Sequence, residues 1–81
     1  MKITLPIKEN PDKILEDVKK KLATRGGSLT GNLKKGKFSV IGIKGEYIIT
    51  EQQLEIVVKS KPFLIPDSFI ENEINQYFKS I

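Results

Sequence analysis

The sequence predicts an α+β fold: a mainly antiparallel sheet of four to five strands, in the order β-α-β-β-β-(β)-α, with two helices packed on one face. Three observations carry this. Residues 34–59 form the only stretch dense enough in β-branched and aromatic residues to make a sheet. Apolar residues within it recur at every second position, as on one face of a strand. The flanking segments instead carry apolar residues at helical spacing behind helix-start signals. All 81 residues read as one domain, and a chain this small buries only about 60% of its unfolded surface, which leaves room for one sheet and one layer of helix.

The first strand is residues 1–8. Ile3, Leu5 and Ile7 alternate toward the core, and Pro6, which has no N–H to donate, belongs at a sheet edge or on an unpaired side. Asn10-Pro11-Asp12 then gives an N-cap, a proline at the first helical position and an acid in the first turn. Ile14, Leu15, Val18 and Leu22 make the apolar stripe of this helix. Glu16 with Lys20 and Asp17 with Lys21 have the favourable acid-first spacing on its solvated side, and Gly26-Gly27 ends it.

In the sheet segment, Phe38 and Val40 share one phase, Tyr47 and Ile49 another, and Leu54, Ile56 and Val58 a third. A turn at Ile43-Lys44, bracketed by Gly42 and Gly45, places Val40 opposite Tyr47 and Phe38 opposite Ile49; one long bent strand with a bulge fits as well. A turn at Glu51-Gln52 sets Ile49 against Leu54 and Tyr47 against Ile56, and one at Lys35-Gly36 sets Leu33 against Phe38 and Gly31 against Val40. Residues 61–66 form a loop with two prolines. Ser68 and Glu71 then have capping-box spacing, Asp67 adds negative charge at the helix start, and Ile70, Ile74, Tyr77, Phe78 and Ile81 form the last stripe, with Phe69 at its margin.

Composition excludes more than it identifies. The absence of cysteine removes disulfides, thiolate chemistry and cysteine-zinc sites, and the absence of histidine removes the commonest general base, so the chain reads as non-enzymatic with no cofactor and no metal. Asp67 and Glu71 are spaced to share a hard cation, but two carboxylates are too few for a calcium site and helix capping accounts for both. No apolar run approaches the ~20 residues that span a bilayer, and the N-terminus lacks a signal-peptide pattern, so a cytoplasmic protein with no membrane span is expected.

The element order and its residues resemble the polyhydroxyalkanoic acid system family, small proteins linked to bacterial storage-polyester granules. The match runs through the Met1-Lys2-Ile3 start, the strand Ile3-Thr4-Leu5-Pro6 and the helix closing at Gly26-Gly27. It continues through Gly36 to Val40, Lys44 to Ile49, Leu54 to Val58, Pro62-Phe63-Leu64 and Ile70 to Ile74. The segment between Leu33 and Gly45 is shorter than in that family. The resemblance implies an accessory protein with no catalytic residues and with a hydrophobic granule surface as a partner.

Two groups of residues are candidate sites. In the register above, Ile41, Ile48 and Val57 point away from the helices, an apolar patch fit for a homodimer or another apolar partner; aliphatics scattered on an exposed strand face account for them equally well. Arg25, Lys34, Lys35 and Lys37 form a basic cluster in which a helix end and a hairpin tip converge on the phosphates of nucleic acid or another polyanion. The net charge of +4 is low for an obligate nucleic-acid binder, and lysines that finish a helix and discourage strand-edge pairing explain the cluster more simply. Lys35 to Val40 has the basic, glycine and aromatic start of an RNA-recognition-motif strand, but its second aromatic is missing and the second helix comes last, which rules that motif out.

Overall fold

The computed structural model describes residues 1–8 and 10–78. Strand β1 (Lys2–Pro6) is followed by helix α1 (Pro11–Ala23), strands β2 (Ser28–Gly31), β3 (Lys35–Val40), β4 (Ile43–Ile49) and β5 (Gln53–Ser60), and helix α2 (Asp67–Phe78). The strands form one fully antiparallel sheet in the order β1-β5-β4-β3-β2. The α+β class and the element order are those the sequence predicts. Strand β1 lies at an edge beside β5, where Pro6, opposite Gln53, leaves no central ladder bond unmade.

Helix α1 starts where the sequence places it. The Asn10 side chain accepts a hydrogen bond from the Asp12 N–H at 2.9 Å, and Ile14, Leu15, Val18 and Leu22 are buried. At its far end Gly26 takes φ +74°, and the Gly27 N–H donates to the Leu22 carbonyl at 2.8 Å, closing the last turn. Helix α2 departs from the expected capping box. It begins one residue before Ser68, and the Pro66 carbonyl accepts from the N–H groups of Phe69 and Ile70, so Ser68 stands inside the helix. Ile70, Ile74, Tyr77 and Phe78 are buried as the stripe requires, and Ile81 lies outside the described residues.

Inside the sheet the Glu51-Gln52 turn is correct, with Ile49 opposite Leu54 and Tyr47 opposite Ile56. The other two turns are displaced. The β3–β4 turn is Ile41-Gly42, pairing Val40 with Ile43 and Phe38 with Gly45, so Ile43 joins the core at 2% exposure. A register shift also falls between Lys44 and Gly45, where β4 meets β5, so the region holds a turn and a bulge together. The β2–β3 connection is built on Asn32, whose Oδ1 accepts from the N–H groups of Lys34 at 2.8 Å and Lys35 at 3.0 Å. Leu29, not Leu33, therefore opposes Phe38, Gly31 opposes Gly36, and Leu33 stands exposed at the tip.

A two-residue hairpin of the favoured type needs positive φ at both central residues, and here they are Ile41 at +48° and Gly42 at +79°. Isoleucine is poorly suited to that conformation because its β-branch crowds the backbone. Ile41→Asn is expected to stabilise the fold by about 1 kcal/mol, raising Tm by roughly 4–8 °C in a domain of this size. Thermal melts of the two proteins test it; an unchanged or lower Tm would show that the isoleucine side chain compensates for its backbone.

The core is a single cluster. Ile3, Leu29, Phe38, Val40, Ile43, Tyr47, Leu54, Ile56 and Val58 bring one phase of each strand against the stripes of α1 and α2, with Leu5, Ile7, Ile49 and Ile65 at its edge. Both helices thus cover the same side of the sheet, and they touch each other where Lys21 Nζ donates to the Gln76 carbonyl. The opposite side of the sheet is left open by the described residues.

Candidate functional site

The open side is laid out by the register in two rows. Lys2, Val57, Glu46, Lys37 and Thr30 run side by side across the sheet, and Thr4, Glu55, Ile48 and Lys35 form the next row. Ile48, 38% exposed, and half-buried Val57 are therefore diagonal neighbours on strands β4 and β5, near the middle of the face. Ile41 is not with them. It occupies the β3–β4 turn at the rim, and Lys37 takes the place beside Glu46 that the expected register gave it.

The surroundings of Ile48 and Val57 are charged. Lys2 pairs with Glu55 at 3.6 Å and Lys59 with Glu46 at 4.0 Å. Lys35, Lys37 and Lys44 share the face and belong to none of the ion pairs among the described residues. A shallow depression of ≈ 450 Å³ lies among Thr30, Lys35, Lys37, Glu46 and Ile48, and a second of ≈ 320 Å³ among Ser28, Ser39, Lys44 and Lys59. The uncommitted lysines thus border the aliphatics, with Lys35 directly beside Ile48.

The basic cluster expected from the sequence is divided. Arg25 precedes β2 and its guanidinium acts on Tyr77 of α2, on the helix side of the sheet, whereas Lys34 follows β2 at the hairpin tip. Lys35 and Lys37, two apart on β3, do share the open face, so the lysines survive as a pair that Lys44 joins and Arg25 does not. Asp67, weighed as half of a cation site, is ion-paired with Lys61. Among the described residues no group of three or more His, Cys, Asp or Glu side chains is placed to hold a metal ion.

Two further features escaped the sequence reading. Glu73 is 9% exposed on α2, where helical spacing marks it as a margin position. Next to it the Tyr77 hydroxyl is buried with no hydrogen-bond partner among the described residues; burial pushes its pKa up, the Glu73 carboxylate adds to that, and the Arg25 guanidinium opposes it. The second feature is the exposure of Phe63 and Leu64 in the β5–α2 connection, at 96% and 84%. The sequence marks that connection as a loop but carries no signal for which of its apolar residues turn inward.

By fold and site this is a small antiparallel α+β protein with one side of its sheet uncovered. Compared with known proteins, the chain matches no family model, no curated protein and no solved structure.

Proposed function

We propose that this is a non-enzymatic binding or accessory protein that acts through the open side of its sheet, self-associating about Ile48 and Val57. The observation that supports the reading is the placement of both helices on one side of a five-stranded sheet, with two aliphatics left near the centre of the other. Charges around them alternate: Lys2 and Glu46 flank Val57, and Glu55 and Lys35 flank Ile48. A second copy laid on this face about a two-fold axis buries the two aliphatics against its own pair and excludes water there. A storage-polyester surface, the partner implied by the family resemblance, is an apolar surface for the same face, and a cytoplasmic location goes with this reading. No described helix is long and apolar enough to cross a membrane.

Ile48→Lys is the test. It places an ammonium at the centre of the contact while leaving the core face untouched, so it is expected to abolish association and leave the thermal melt within a few degrees of the parent. Sedimentation equilibrium with and without a polyester oligomer measures both partners. A parent protein that stays monomeric at high concentration and ignores the oligomer sinks the reading, as does an Ile48→Lys variant that associates normally.

A second reading follows from the uncommitted lysines: weak binding of nucleic acid or another polyanion along β3 through Lys35 and Lys37, with Lys34 at the adjoining tip. It predicts affinity for a short oligonucleotide that falls steeply with salt and disappears when these three lysines become glutamine.

A further inference from the structure

A second surface lies at the rim where two tight turns meet, adjoining one end of the open face. The Ile65 N–H donates to the Pro62 carbonyl at 3.2 Å, closing a turn whose two central residues are Phe63 and Leu64. Such positions ordinarily carry Gly, Asn, Asp or Ser. Here they carry the two most exposed large apolar side chains among the described residues, at 96% and 84%. The turn is held at both ends. Ile65 packs against the core, and the Pro62 ring lies 3.1 Å from where a Cβ on Gly42 would stand. That contact sets the Phe63-Leu64 turn against the β3–β4 turn, whose own apolar residue, Ile41, is 49% exposed and held at φ +48°. Two adjoining turns thus present apolar groups where turn chemistry calls for polar ones.

We infer that this rim inserts into an anionic phospholipid surface, with Phe63 and Leu64 entering the acyl boundary and Ile41 at its edge. The tip is convex and rigidly mounted, and a lipid interface accepts an isolated protrusion without complementary shape, whereas a protein partner would need a matching pocket. Behind the tip the charge has the right sign. Lys61 precedes Pro62, Lys59 lies on the same strand end, and Lys44 is paired across the sheet with Ser60. Lys61 and Lys59 are engaged by Asp67 and Glu46, and Lys44 is in no ion pair among the described residues, so it is free to meet a phosphate. Two side chains give a shallow, reversible attachment.

The chain contains no tryptophan, so Phe63→Trp introduces a single indole at the tip. On phosphatidylcholine vesicles containing phosphatidylglycerol its emission is expected to shift to the blue and to be quenched by lipids brominated on the acyl chain. In co-sedimentation with the same vesicles, the double variant Phe63→Ser, Leu64→Ser is expected to lose about tenfold in partitioning. Its melt should be unchanged, and Ile48→Lys should bind vesicles as the parent does, which separates this contact from the sheet face. An indole that stays in water overturns the inference, as does a double-serine variant that binds as well as the parent, since lysines alone would then hold it. A blue shift that grows with protein concentration in the absence of vesicles assigns the tip to a second copy and also overturns it.

Discussion

Gly36→Ala is expected to cost about 3 kcal/mol or more and to lower Tm by roughly 12 °C or more, although alanine is otherwise a mild replacement. The reason is what lies over that position. A Cβ on Gly36 would collide with the Thr30 carbonyl on β2 and stand 2.6 Å from Tyr47 Cζ, because the Tyr47 ring is laid across the facing glycines Gly31 and Gly36. Tyr47 is fully buried there, and its hydroxyl donates to the Asn32 carbonyl at 2.6 Å, tying the β2–β3 turn to β4. A glycine without strain of its own thus permits an aromatic ring to cover a strand pair. Gly26→Ala is the internal control. Gly26 has φ +74° and open space around it, so its replacement carries only the backbone cost of about 1 kcal/mol. Equal losses in urea denaturation of the two variants would show that the ring gives way and that the cradle does not constrain the sheet.

That same cradle explains why two turns were misplaced on reading the sequence. Gly36 and Gly45 look like turn residues, since glycine tolerates positive φ, yet both lie within strands where the missing side chain makes room for an aromatic ring. Nothing local distinguishes the two uses, because the ring that needs the space comes from another strand. The true β3–β4 turn was hidden for the opposite reason: isoleucine at position 41 is a residue that turn chemistry argues against. The β2–β3 turn was misplaced although a signal for it stood in the sequence, since Asn32 makes the backbone bonds that asparagine favours in turns.

The elements that were read correctly rest on signals that tertiary context reinforces. The Asn10 cap, the stripe of α1 and the alternation of Leu54, Ile56 and Val58 each place apolar side chains where the core lies. Site residues followed the same logic. Ile48 and Val57 are on the open side because their phase within β4 and β5 is fixed by Tyr47 and Ile56, whereas Ile41 fell with the misplaced turn. Lys35 and Lys37 stay together because a strand keeps alternate residues on one side, and Arg25 leaves them because a whole strand intervenes. The Phe63-Leu64 tip depends on Ile65 taking the inward position, a choice made by packing.

Phe38→Ala is expected to destabilise the protein by about 3–5 kcal/mol, a large part of what a domain of this size commands. Phe38 is 3% exposed and makes an aromatic contact between the sheet and α2. Its ring meets that of Phe78 edge-to-face, with centroids 5.3 Å apart and planes at 67°. On its other side the ring lies over Gly45, where a Cβ would stand 2.8 Å from Phe38 Cε1 and Cζ. Alanine therefore leaves a cavity between a glycine, which has no side chain to fill it, and a helix end that has lost its aromatic neighbour. Phe69→Ala, on the same chain but 48% exposed, is expected to fall within about 0.5 kcal/mol of the parent. Urea denaturation gives both values, and amide exchange shows where the loss is felt: α2 protection should drop ahead of that of β4 and β5. If the two phenylalanines cost the same, or α2 keeps its protection, the grip on the helix comes from Ile70 and Ile74 instead, and the Phe38–Phe78 contact merely accompanies it.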